Sequence, residues 1–242
     1  MSIPKNRIYL EAQSIVIIMT PTPSTKKPWI IFDLDHTLFD TTEFKKEIFA
    51  VFKACSVDEA IAKSSFDAFT KGHEGNYDML AHCEELLKKK HIRSLDKVIA
   101  FLKSPLEKHL IKDVEETLHE LRARGHRLIL LTKGIERFQL TKIQQAGITS
   151  SFDEIRIVYR LKEEELRKLA LPKGSYFVND NWQETERIMN AYPALHYVLF
   201  APSHKAIPQN KNRVSFTIVQ ELHQILELVS QISHNLGTNK KS

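Results

Sequence analysis

Trp29-Ile30-Ile31-Phe32-Asp33-Leu34-Asp35-His36-Thr37-Leu38-Phe39-Asp40 is the stretch whose reading decides the fold. Trp29 to Phe32 is a short apolar run behind a Lys27-Pro28 breaker. It is rich in aromatic and β-branched residues and reads as a buried strand. Two carboxylates follow where that strand ends. In extended backbone, residues two apart point the same way, so Asp33 and Asp35 share a side while Phe32 and Leu34 take the other. Neighbouring acids at the end of a buried strand repel each other and resist desolvation. The pair calls for a cation between its members. It also suits chemistry in which one carboxylate attacks and the other handles protons.

Working outward, the 242 residues suffice for one large domain or a core with an insert. Apolar content of 42% and charged content of 27% are those of a soluble globular protein. The net charge of +5 is diffuse, and the longest basic run is Lys88-Lys89-Lys90. Spread basicity suits an anionic small molecule and argues against a nucleic-acid partner, which needs a concentrated basic face. Cys55 and Cys83 stand far apart in no metal or redox spacing, which fits a reducing cytosol and a cytoplasmic protein. No apolar run approaches the ~20 residues that span a bilayer, so no membrane partner is expected. The run Ile15 to Met19 is shorter than a ~7-residue export core, and residues 1–28 are expected to be a disordered extension.

Downstream of Asp40-Thr41-Thr42-Glu43, a helix start, only helical periodicity appears as far as Leu110. Phe44, Ile48, Val51 and Phe52 mark one helix, Ile61, Phe66 and Phe69 a second. Met79, Leu80, Leu86 and Leu87 mark a third, Val98, Phe101 and Leu102 a fourth. The break Lys71-Gly72-His73-Glu74-Gly75-Asn76-Tyr77-Asp78 offers His73 and Tyr77 as residues that select a ligand. After an amphipathic helix ended by Gly125, strands alternate with helices. Leu128 to Leu131 ends in Thr132, and Glu154 to Tyr159 leads to Lys162. Ser175 to Asn179 ends in Asp180, with Glu184 four residues on. His196 to Phe200 is a fifth strand, Thr217 with Gln220 forms a capping box, and a last helix closes the chain. Alternation of this kind predicts an α/β protein with a doubly wound parallel sheet, whose ligand lies beyond the carboxyl ends of the strands.

The string Asp33-x-Asp35-x-Thr37 after an apolar strand resembles the first motif of the haloacid dehalogenase-like (HAD) superfamily. Thr132 at the end of its strand resembles the second motif. Lys162 stands where the third motif's lysine belongs, with Lys173 as rival. Asp180 with Glu184 resembles the fourth, with Asn179 in place of the usual Gly and Glu184 in place of the usual Asp. The resemblance implies a HAD-like core over 29–42 and 111–242 and an inserted all-helical C1-type cap over 43–110. It implies a Mg²⁺-dependent phosphatase acting on a small phosphorylated metabolite, with Asp33 as nucleophile and Asp35 as acid and base. Thr132 and Lys162 would bind phosphate. Asp33, the carbonyl of Asp35 and Asp180 would hold the metal, with Glu184 reaching it through water. A phosphomutase and a catalytically weak binding protein on the same scaffold are the alternatives. A dehalogenase would need no second acid at Asp35. The oligomeric state is not legible.

Overall fold

Ile30, Ile31 and Phe32 are completely buried in the computed structural model, which describes residues 7–11, 14–18, 27–202 and 216–238. They form strand β3 (Ile30–Phe32). A strand apolar on both faces belongs in the middle of a parallel sheet covered by helices on each side. Around it lie β1 (Arg7–Glu11), β2 (Ser14–Ile18), β4 (Leu128–Lys133), β5 (Glu154–Val158), β6 (Tyr176–Asn179), β7 (His196–Phe200) and β8 (Thr217–Val219). The order is β1-β2-β5-β4-β3-β6-β7-β8, parallel from β5 to β8. The chain thus winds outward from β3 to β4 and β5, returns to β6 on the other side, and continues to β7 and β8. That reversal beside β3 opens a crevice at the carboxyl ends of β3, β4 and β6.

Each face of the sheet carries its own apolar layer. On one face Phe32, Leu128, Leu130, Ile155 and Val178 pack with α5 (Val114–Ala123), α6 (Glu136–Gln145) and α9 (Gln224–Thr238), which contribute Leu118, Ile143 and Ile225. On the other, Ile31, Ile129 and Phe177 pack with Leu166 of α7 (Lys162–Arg167) and Ile188 of α8 (Trp182–Ala191).

Between β3 and β4 the chain is helical: α1 (Thr41–Ala54), α2 (Glu59–Gly72), α3 (Met79–Lys88) and α4 (Asp96–Leu102). Asp40 caps α1 by accepting from the Glu43 amide at 3.0 Å. The buried stripe Phe44, Ile48 and Phe52 faces Phe66, Cys83 and Val98. Phe39 and Phe44 (5.2 Å, edge to face) continue this packing into the layer under the sheet.

Two expectations are corrected. Residues 7–11 and 14–18 fall in the expected disordered extension, yet they form a β-hairpin whose second strand pairs antiparallel with β5. Ile15, Val16 and Ile17 are at most 9% exposed, which is ordinary burial for core residues. Lys27 and Pro28 lead into β3, and the rest of that extension lies outside the described residues. Thr217, expected in a capping box, is instead the first residue of β8; the side chain of Gln224 accepts from the Gln220 and Glu221 amides at 2.8 and 3.2 Å.

The hairpin carries a stability prediction. A chain beginning at Met19 loses three buried side chains and leaves the β5 edge unpaired. Its melting temperature is expected to fall by about 5–10 °C. An unchanged melting curve would show that the hairpin contributes nothing to the fold.

Candidate active site

The strand β3 ends by handing the Asp33 amide to the carbonyl of Val178 (3.0 Å). The chain then turns sharply. His36 takes φ = 61°, and the amides of Leu38 and Phe39 both bond back to the Leu34 carbonyl, at 2.9 and 3.0 Å. His is one of the few side chains, with Asn and Asp, that take that left-handed region readily, and the turn uses it here. Asp33 and Asp35 face different partners instead of sharing one cation.

Asp33 is nearly buried and accepts from the Lys162 ammonium at 2.7 Å. The same ammonium donates to Glu184 Oε2, also at 2.7 Å. Lys162 is itself buried; it begins α7, just past the end of β5, and its side chain runs back under the strand ends. Burial opposes its charge, but Asp33 and Glu184 outweigh that and hold it above the ordinary lysine value. Burial lifts Asp33; Lys162 pulls it down, and the charges of Glu184 and Asp180 lift it again, to about 7. Burial is the larger cause of that rise, and the neighbouring charges of Glu184 and Asp180 add to it.

Glu184, expected to reach a metal through water, is the second counter-ion of Lys162. Asn179 fixes it there, donating to Oε2 at 3.0 Å. Burial raises Glu184, but Lys162 and the Asn179 amide prevail and lower it. Asn179 does not use positive φ, the property that first suggests itself for an Asn at a Gly position. It is an extended, wholly buried strand residue that serves through its amide.

Asp35 is held by a second set. Lys142 Nζ lies 2.5 Å from Oδ1, Gln139 Nε2 lies 2.9 Å from Oδ2, and the Thr41 hydroxyl also donates to Oδ1. Burial would raise this carboxyl, yet Lys142 and these hydrogen bonds bring it down to about 2, so it is ionised. Gln139 also donates to Thr132 Oγ1 at 3.0 Å, linking the fully buried Thr132 to Asp35. The loop after β4 permits this because residue 134 is glycine: a Cβ there would meet Gln139 at 2.6 Å. Neither Lys142 nor Gln139 stands out in the sequence. Both sit on α6 and look like solvated helix residues, whereas both are at most 3% exposed.

Two cavities open at the strand ends. One of about 850 Å³ is lined by His36, Asp180, Phe200 and Leu222. The other, about 260 Å³, lies between the helical block and the sheet and is lined by Asp35, Lys142, Gln139 and Tyr77. Of the two cap residues singled out, only Tyr77 reaches a cavity wall; its hydroxyl lies 3.1 Å from His82 Nδ1. His73 stacks on Phe69 at 4.1 Å and bonds the Phe69 carbonyl through Nδ1 (2.8 Å), closing α2. The loop 74–78 is bound to the sheet side by Arg160 with Glu74 (2.8 Å), Arg137 with Asp78 (2.5 Å) and Asn76 with the Tyr159 carbonyl (3.1 Å).

Among the described residues no three His, Cys, Asp or Glu side chains gather to hold a metal. Magnesium does not require three: it takes one or two carboxylates, completing its shell with waters and substrate oxygens. Asp33 and Asp180, near enough that the charge of Asp180 raises Asp33, offer carboxylate oxygens of that hard kind. Burial, with the charges of Glu184 and Asp180, keeps Asp33 high, and a divalent cation bound by Asp33 would offset that.

Compared with known proteins, residues 30–165 match the family described as haloacid dehalogenase-like hydrolase. The chain is 24% identical over 235 residues to a glyceraldehyde 3-phosphate phosphatase of Methanothermobacter thermautotrophicus, covering 83% of this chain and 98% of that one. Among solved structures it resembles a haloacid dehalogenase-like hydrolase from Burkholderia xenovorans, with TM-score 0.70, 18% identity and 85% and 97% of the two chains covered. It also resembles a HAD-hydrolase of Bacillus subtilis bound to magnesium, with TM-score 0.58, 14% identity and 85% and 99% covered. At these identities the structural likenesses speak for the fold.

Proposed function

The chain belongs to the haloacid dehalogenase-like hydrolase family, and on that premise we propose that it hydrolyses a small phosphomonoester through a phosphorylated Asp33. The observation that carries this reading is the division of the strand-end acids: Asp33 on Lys162, Asp35 on Lys142. A dehalogenase has no task for a second acid so placed. The phosphatase name of the Methanothermobacter relative supports the same choice.

Asp33 attacks phosphorus in line, forming the aspartyl–phosphorus bond as the ester oxygen leaves. Lys162 keeps the attacking carboxylate ionised and, with the Thr132 hydroxyl, receives charge as it spreads over the phosphoryl oxygens. Asp35 serves the proton. The arriving phosphate dianion raises its affinity for a proton, which it gives to the leaving alkoxide. As a carboxylate again, held by Lys142 and Gln139, it takes the proton of the water that attacks the aspartyl-phosphate. Mg²⁺ held by Asp33, Asp180 and the Asp35 carbonyl would screen the approach of one anion to another. The helical block acts as a cap that keeps bulk water out, with the 74–78 loop bound across the entrance.

Phosphate release from a panel of small phosphoesters, with Mg²⁺ and then with a chelator, tests the reading. Release that disappears with the chelator is expected. Replacing Asp180 by Ala should raise the half-saturating Mg²⁺ concentration by about 10-fold or more. Failure to release phosphate from any ester would refute the reading, and transfer of phosphate to a second hydroxyl of the substrate would make the protein a mutase.

A further inference from the structure

In the hydrolysis proposed above, the oxygen that leaves phosphorus must face Asp35, which protonates it, so the rest of the leaving group extends to the Asp35 side. Asp35 lines the cavity of about 260 Å³ between the helical block and the sheet, whereas His36 and Asp180 line the larger one. The smaller cavity has aromatic walls, with Phe66 and Tyr77 centroids 4.5 Å apart. It is also lined by Lys45 and Lys133, and among the described residues no carboxylate pairs with either. Lys45 stands over Phe66, 4.2 Å from the ring centroid, and Lys133 reaches the Glu74 carbonyl at 3.3 Å. The third lysine, Lys142, is already engaged by Asp35. Within the same wall Gln139 Oε1 is buried with no hydrogen-bond partner, so the space expects a polar occupant.

Two cations focused on one small cavity, whose one lining carboxylate, Asp35, is already engaged by Lys142, attract an anion. The volume falls short of the ~300 Å³ at which pockets for drug-sized ligands begin, so that anion is compact. We propose that the leaving group of the substrate carries its own anionic group, a carboxylate or a second phosphate, received by Lys45 and Lys133. The substrate class is then phosphorylated small acids or bisphosphates. Esters with neutral leaving groups, such as sugar monophosphates and nucleoside monophosphates, are disfavoured.

Matched esters test this. With Mg²⁺, kcat/KM is measured for phosphoglycolate against hydroxyethyl phosphate, and for propanediol bisphosphate against propanediol monophosphate. The first pair reads a carboxylate, the second a phosphate. In at least one pair the anionic member should be preferred by on the order of 10- to 100-fold, the range of one charge-assisted contact. K45Q and K133Q should each reduce that ratio about 10-fold, and K45E should reverse it. Lys45 is exposed on α1, so its replacement leaves the fold in place. Equal kcat/KM within both pairs in the unaltered protein overturns the inference, as does a preference that survives K45Q combined with K133Q. p-Nitrophenyl phosphate separates the two levels of claim. Its hydrolysis without any acid preference sinks only the substrate class, whereas no phosphate release from any ester sinks the hydrolysis as well.

Discussion

Replacing Asp33 by Asn is expected to lower phosphate release by about ten-thousand-fold or more while the protein remains folded. The size follows from the role: removal of a nucleophile costs an enzyme nearly all of its covalent chemistry. The retained fold follows from the environment. Asp33 is nearly buried, and its carboxylate is disfavoured there by burial and by Asp180 and Glu184. An amide of the same shape can still accept from Lys162 and carries no charge that must be desolvated. Circular dichroism and melting curves should thus match those of the unaltered protein. Substantial turnover by this variant would remove Asp33 from the attacking role.

The second large effect is expected at Lys162. Its ammonium lies 2.7 Å from both Asp33 and Glu184, and among the described residues no other cation bridges the two. Lys162→Ala should reduce phosphate release by about 100-fold, the loss typical of one preorganised charge partner. It should also destabilise the protein, because the buried Asp33 carboxylate is left without its cation, a change that costs about 3–5 kcal/mol, while Glu184 keeps Arg187 at 3.6 Å. Addition of Mg²⁺ should recover part of the lost melting temperature and little of the activity. Lys173 is exposed ahead of β6, at the amino end of the strand and away from the site. Lys173→Ala should be silent in both measurements. The reverse pattern would contradict the assignment of Lys162 to the phosphoryl group.

How far the sequence carries the structure depends on the range of each signal. Asp33, Thr132 and Asp180 were legible because each ends a buried apolar run, and parallel strands bring such ends together. Lys162 was legible only by its place after β5. The helices α1 to α4 were readable from apolar periodicity, since Phe44, Phe66, Leu86 and Val98 all turn inward. Lys142 and Gln139 were not, because only the crossing of α6 over the turn at Gly134 buries them against Asp35. The N-terminal hairpin escaped for a local reason: Ala12-Gln13, between its strands, is not a dipeptide that marks a tight turn. The contact of Glu184 and Asn179 with each other and with Lys162, from another strand end, has no sequence-local trace.

Trapping the covalent state on Asp33 is the most direct test of the account. The ester turned over fastest in the panel is mixed with the protein and Mg²⁺, and the reaction is quenched into hydroxylamine, which converts an acyl phosphate to a hydroxamate. Peptide mass spectrometry should find the hydroxamate on Asp33, and find none without ester or in Asp33→Asn. Steady phosphate release with Asp33 never modified, or with the hydroxamate on another carboxylate, would contradict an aspartyl-phosphate at the end of β3.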